Sequence, residues 1–163
     1  MAPFDTSQVS PSDAIATLRS LRRRFADAFS RAESPDDLST PKSGGLSPIG
    51  HAQWTARAVR TIEAALRNVE MHDNPTVELP PTDPAGALPP VDAGTALADL
   101  AASAESLADA MAGVHGDDWA RTGQGATGKI SALDLARLGV QIAVDHLRAV
   151  ERILGAGQDD ESD

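Results

Sequence analysis

Residues 47–91 read SPIGHAQWTARAVRTIEAALRNVEMHDNPTVELPPTDPAGALPPV, and this stretch decides the fold. Its first half opens with Ser47 and Pro48, residue types that favour the N-cap and the first position of a helix. An apolar stripe at three- and four-residue spacing follows: Val59, Ile62, Leu66 and Val69. The second half carries six prolines between 72 and 91 and cannot be helical. We therefore predict a helix over 47–71 and a crossover long enough to pass from one end of a helical bundle to the other.

Three further helices are predicted outside this stretch, near 10–32, 93–112 and 131–154. Ser10 and Ser131 each precede a run of apolar residues at helical spacing, and each has an aspartate three residues later, which is a capping signal. The predicted fold class is therefore all-α, an up-down four-helix bundle with a long Pro-rich crossover between the second and third helices. We assign residues 10–155 to this domain.

The segments outside the helices are predicted from their composition. Residues 1–9 are expected to be a flexible N-terminus, and the acidic residues 156–163 a disordered tail. The Gly-rich segment 113–130 contains the sequence GQGATG, which superficially resembles a dinucleotide-binding fingerprint. That fingerprint needs a preceding strand, which the sequence does not predict, so we interpret the segment as a flexible loop anchored by Trp119.

Composition excludes several classes of protein. The chain has 163 residues, a formal net charge of −10 and no cysteine. The absence of cysteine excludes a disulfide framework, a thiolate zinc site and a cysteine nucleophile. The acidic balance disfavours nucleic acid as a partner. Because no apolar run approaches the ~20 residues of a membrane span and no secretory signal is visible, we expect a cytoplasmic protein without membrane contact.

Four polar side chains point toward the predicted bundle interior when each helix is rotated about 100° per residue. They are Arg22 in the first helix, His51 and Thr55 in the second, and His146 in the middle of the apolar face of the last. The candidate metal ligands are His51 and His146, since two imidazoles from different helices suit zinc or a similar divalent ion. The candidate ligand pocket consists of Arg22, Thr55 and Trp54.

Each of these residues also has a structural interpretation. The Thr55 hydroxyl can bond a backbone carbonyl, Arg22 can extend to the end of the bundle, and Trp54 can be a packing anchor. A buried His146 can be a core residue that hydrogen-bonds to Thr55 or His51. The other two histidines, His72 and His115, fall in predicted loops and are expected at the surface.

The chain resembles the DinB-like fold, a superfamily that includes the N-terminal domain of mycothiol-dependent maleylpyruvate isomerase. The resemblance rests on residues 46–50, LSPIG, which are similar to the Ser-Pro opening of the family's second helix. It rests also on Asp118-Trp119 followed by the Gly-rich loop, and on residues 145–154, DHLRAVERIL, which are similar to the closing helix with its ligand histidine.

The resemblance implies a metal, often zinc or nickel, held by one histidine of the second helix and by two ligands four residues apart on the last. His146 matches the last of these ligands. The position four residues earlier is Ile142, which cannot bind a metal. The family's second-helix histidine would fall near Trp54 or Thr55, so His51 lies one turn too early.

Two functions follow from these departures. In the first, the bundle has lost its metal site, holds no cofactor, and acts as a small-molecule-binding or protein-interaction module. In the second, it is a metal-dependent S-transferase or isomerase that acts on a small molecule, and zinc or nickel activates a mycothiol-type thiol by lowering its pKa. A helical adaptor unrelated to the family is a third interpretation. The Ala-rich helices allow close contact, so we also expect a homodimer.

Overall fold

The computed structural model describes residues 5–42, 45–84 and 88–155, and it confirms the predicted all-α bundle. Four long helices form it, with one short helix, a 3₁₀ turn and a hairpin between them. In chain order the elements are α1 (Pro11–Phe29), α2 (Pro35–Ser39), α3 (Pro48–Met71), α4 (Ala93–Ala112), a 3₁₀ helix (Gly116–Ala120), β1 (Thr122–Gly125), β2 (Gly128–Ser131) and α5 (Ala132–Gly155). The predicted tail 156–163 lies outside the described residues.

The helix starts agree with the capping signals in the sequence. The Oγ atoms of Ser10 and Ser47 accept hydrogen bonds from the backbone N–H groups of Asp13 and Gly50. Ser131 and Asp134 form a reciprocal capping box, because each side chain accepts from the other's backbone N–H. The first helix ends at Phe29, three residues before the predicted end.

The crossover runs back along the whole length of α3. At its start, the Asn68 side chain donates to the carbonyl of Thr76, and at its end the Gln53 side chain donates to the carbonyl of Pro89. Since the chain returns to the beginning of α3 before α4 starts, α3 and α4 run parallel. The four-helix bundle is as predicted, but the up-down order of helix directions is broken at the crossover between α3 and α4.

The four long helices occupy the corners of a square. α1 packs against α4 and α5, and α3 packs against the same two helices. The Arg137 side chain, near the start of α5, donates to the carbonyl of Val9, just before α1, so α1 and α5 run in the same direction. Gly139 of α5 faces Ile62 of α3, and a Cβ there would come within 3.1 Å of Leu107. Glycine therefore leaves room for the Leu107 side chain, which would have to shift by a few tenths of an ångström if a Cβ were present.

The predicted flexible loop at 113–130 is wrong. β1 and β2 form an antiparallel hairpin, and β1 also pairs with the crossover, since Gln124 donates to the carbonyl of Pro75 and accepts from Val77. Glycine is needed here for space and for backbone conformation. A Cβ on Gly123 would lie 2.9 Å from the carbonyl oxygen of Pro75, and Gly128 has a φ of 130°.

The hairpin also anchors the end of α3. Arg121 Nε donates to the carbonyl of Val69, and Arg121 Nη2 donates to that of His72. Val69 lies in the last turn of α3 and His72 is the C-cap residue that follows it, so Arg121 satisfies carbonyls at a helix end that lack an intrahelical N–H partner. The connection between α1 and α3 contains one helical turn, α2, with a capping box between Ser34 and Asp37.

None of the helices in the described part of the chain combines the length and hydropathy that a membrane span needs.

Candidate functional site

His51 occupies the first turn of α3, one turn after the Ser47 cap. Its backbone carbonyl accepts a hydrogen bond of 2.8 Å from Thr55 Oγ1, and Thr55 is fully buried. The structural interpretation of Thr55 is therefore confirmed. The hydroxyl is used locally, which leaves the His51 ring as the polar group that α3 presents to α5.

The imidazoles of His51 and His146 contact each other directly. Their Nδ1 atoms are 2.8 Å apart and their ring centroids 5.1 Å apart. The centroid separation equals the nitrogen separation plus the two ring radii, so both nitrogens lie on the line that joins the ring centres. This is the alignment of an N–H···N hydrogen bond, in which the proton points at the lone pair of its acceptor.

The hydrogen bond fixes the tautomers of the pair. A neutral imidazole carries one proton, so one ring donates from Nδ1 and leaves its Nε2 bare. The other ring accepts at Nδ1 and carries its proton on Nε2. The His51–His146 pair, hereafter the histidine pair, therefore presents one Nε2–H donor and one bare Nε2 to its surroundings.

Burial keeps both rings neutral at pH 7. The pKa of His51 falls from 6.5 to about 4, mainly because the ring is buried, and also because positive charge on His146 or Arg152 would repel a proton on it. Burial alone lowers the pKa of His146 to about 4. Within the described part of the chain, no carboxylate stabilises the imidazolium form of either ring.

The histidine pair does not fit a resident metal ion. Two imidazole nitrogens on a tetrahedral zinc, with Zn–N bonds of ~2.0–2.1 Å, are separated by about 3.3 Å, and their lone pairs converge on the metal. Here the nitrogens are 2.8 Å apart and aim at each other. Among residues 5–42, 45–84 and 88–155, no group of three His, Cys, Asp or Glu side chains could hold a metal ion.

The predicted place of His146 in the middle of the apolar face is wrong. The face of α5 that enters the core is rotated away from it, and its members are Leu135, Ala136, Gly139, Val140, Ala143, Val144, Leu147, Val150 and Leu154. His146 is half-buried at the edge of this face, and so are Leu138 and Ile142, which the sequence had placed at its centre. The prediction placed the face wrongly because small residues, alanine and glycine, make up much of the buried face of α5, which packs against α3 and α1.

The structure does not assemble the predicted pocket of Arg22, Thr55 and Trp54. Arg22 is exposed on α1, because the buried face of that helix follows Leu18, Leu21 and Phe25. Its predicted inward orientation is therefore wrong. Trp54 is 6% exposed, as expected of a packing anchor.

Other residues near the site follow from the helix directions. His72 and His115 are exposed, as predicted. Arg152, which no motif or helical stripe of the sequence singles out, lies in the last turns of α5, and its charge acts on the His51 ring. The signal that could have found it is the antiparallel arrangement of α3 and α5, which brings the end of one helix beside the start of the other.

One solved structure shares this fold over nearly the whole chain. It is YfiT from Bacillus subtilis, a probable metal-dependent hydrolase with an unusual four-helix bundle topology. The TM-score is 0.79 at 13% sequence identity, and the match covers 97% of this chain and 93% of YfiT. No protein-family model matches the chain, and no curated protein matches it significantly. The fold of this chain is that of YfiT.

Proposed function

We propose that this protein is a binding module that has lost the metal site of its fold and uses the histidine pair as the polar centre of a small-molecule or protein-binding site. The observation that carries the proposal is the direct Nδ1–Nδ1 hydrogen bond of 2.8 Å. This hydrogen bond satisfies the Nδ1 atoms of both His51 and His146, and in our proposal it takes the place of a metal ion as the link between α3 and α5.

The donor set supports the same proposal. A catalytic zinc site uses three protein ligands. The resemblance places the missing one at position 142, four residues before His146, and Ile142 is half-buried there with an apolar side chain.

The metal content of purified protein tests the proposal. We expect far less than one zinc or nickel per chain by elemental analysis, and a melting temperature that EDTA does not change. The His146→Leu variant should likewise melt at a temperature independent of EDTA, and His72→Leu, on the surface, is the matched control. One bound metal per chain, with a chelator-sensitive melting temperature lost only in His146→Leu, would overturn the proposal, because binding to the native state stabilises it.

A metal-dependent thiol S-transferase or isomerase of the mycothiol type is the second candidate. The shared fold with YfiT supports it, and so do the low histidine pKa values, since neutral imidazoles bind metal without first losing a proton. It requires a third donor and a separation of the two Nδ1 atoms. Zinc-dependent turnover of a small electrophile with a low-molecular-weight thiol, abolished in His51→Phe, would establish it in place of the binding module.

We also propose that the protein is a homodimer, because its helices present small residues that permit close helix contact. Size-exclusion chromatography with light scattering at high micromolar concentration should give about twice the monomer mass. A mass of one chain at that concentration contradicts the proposal.

A further inference from the structure

The Nε2 atoms of the histidine pair are open to solvent. Neither forms a hydrogen bond with a described residue. In the described part of the chain, no buried side-chain nitrogen or oxygen lacks a hydrogen-bond partner, so neither Nε2 is a buried orphan. Since each ring is only half-buried, its outer nitrogen remains accessible to a ligand.

Among the described residues, Arg152 supplies a positive charge that acts on the His51 ring. Arg152 is exposed, its Nε is directed to the carbonyl of Arg148, and none of the ion pairs among the described residues includes it. Its guanidinium therefore keeps its charge and donors for a ligand near His51. Among residues 5–42, 45–84 and 88–155, no carboxylate contributes to the charges that act on either ring.

We propose that His51 Nε2–H and Arg152 together bind the carboxylate of a small organic acid, and that His146 is the positioning residue. This rests on the proposed function, because it requires His51 to be free of metal. One N–H donor and one guanidinium match the two oxygens and the single charge of a carboxylate. A phosphate dianion would leave a charge uncompensated.

His146 acts through the shared hydrogen bond. When its Nδ1–H donates to His51 Nδ1, His51 must carry its proton on Nε2, where the carboxylate accepts it. The opposite arrangement would point a bare nitrogen at the anion. Carboxylate binding therefore selects one of the two tautomer arrangements, which is a signature that simple electrostatic attraction to Arg152 does not produce.

The test is a titration of the ¹⁵N-labelled full chain with sodium benzoate at pH 7, followed by long-range ¹H–¹⁵N correlation of the histidine rings. We expect saturable shifts, with His51 ending as the Nε2–H tautomer and His146 as the Nδ1–H tautomer. Benzamide, which has the same shape without the charge, should bind far more weakly, and so should inorganic phosphate. No saturable change in either ring, or equal responses to benzoate and benzamide, overturns the proposal.

Charge-matched variants locate the anion. Arg152→Gln should weaken benzoate binding about fivefold, which corresponds to ~1 kcal/mol, a typical value for a partly exposed charge pair. Arg152→Lys should retain most of the affinity, and Arg23→Gln, an exposed position on α1, should retain all of it. Equal weakening by Arg152→Gln and Arg23→Gln would assign the effect to net charge and refute the site.

The same samples distinguish failure of the carboxylate site from failure of the proposed metal-free binding module. If the purified protein contains no metal and benzoate leaves the rings unchanged, the carboxylate site fails and the metal-free module stands. If one equivalent of zinc shifts both rings stoichiometrically and EDTA reverses the shift, the metal-free module fails as well.

Discussion

At the scale of single residues, the sequence predicted that His51 and His146 face inward but not how their rings are oriented. Helical rotation identified both as inward, and hydrogen-bonding rules left Thr55 and His51 as the two candidate partners of His146, of which the structure shows His51. Rotation could not give the angle of each ring, because that depends on how α3 and α5 are rotated against each other. The inward orientation predicted for Arg22 was wrong because the centre of the buried face of α1 lies at Leu21, and Arg22 lies beside that face.

The lowered pKa values of the histidine pair predict that stability depends on pH. The rings titrate near 6.5 when unfolded and at about 4 when folded, so the unfolded chain binds more protons between these values. The free energy of unfolding should therefore rise as the pH increases from 4 to 6.5, by up to about 3 kcal/mol for each ring, and show no further contribution from the pair above that range.

Urea denaturation at pH 4.5 and pH 7 measures this dependence. The double variant His51→Phe/His146→Leu should lose most of the difference between the two pH values. His72→Gln, which removes an exposed histidine, should keep it. An unchanged pH difference in the double variant would show that other groups cause it.

At the scale of elements, capping chemistry predicted more than hydropathy did. Ser10, Ser47 and Ser131 begin the three helices that their spacing assigns to them. The hairpin was not predicted because its strands contain Gly123, Gly125 and Gly128, and their only β-branched residues are Thr122 and Ile130. Tertiary contacts stabilise the hairpin, because the crossover forms hydrogen bonds with both the backbone N–H and the carbonyl of Gln124. Contacts between distant segments leave no pattern in the local sequence that would predict a strand.

Substitution of Gly123 should disrupt the attachment of the hairpin. In Gly123→Ala the new methyl group meets the Pro75 carbonyl at 2.9 Å, a backbone atom that cannot rotate away. We expect a loss of about 1–3 kcal/mol in the free energy of unfolding.

Gly125→Ala is the control, because its Cβ would sit at an ordinary 3.5 Å from its nearest neighbours. Chemical denaturation of both variants makes the comparison. Equal stabilities would mean that the hairpin is not held tightly against the crossover.

At the scale of the whole molecule, the prolines between α3 and α4 set the topology. A chain that must travel the length of α3 before it turns into α4 makes those two helices parallel, and this brings the end of α5 beside the beginning of α3. The histidine pair and Arg152 meet at that end of the bundle for this reason. The four-helix fold and the long crossover were predictable from local patterns, whereas the contact between particular side chains depended on the global order of helix directions.

The central claim is that a hydrogen bond, and not a metal, joins His51 to His146. The most direct measurement is the ¹⁵N–¹⁵N scalar coupling across the Nδ1–H···Nδ1 hydrogen bond in the labelled full chain at pH 7, before and after EDTA. We predict a coupling between the two Nδ1 nuclei that EDTA leaves unchanged. The absence of coupling, together with ring shifts that EDTA reverses, would contradict the claim.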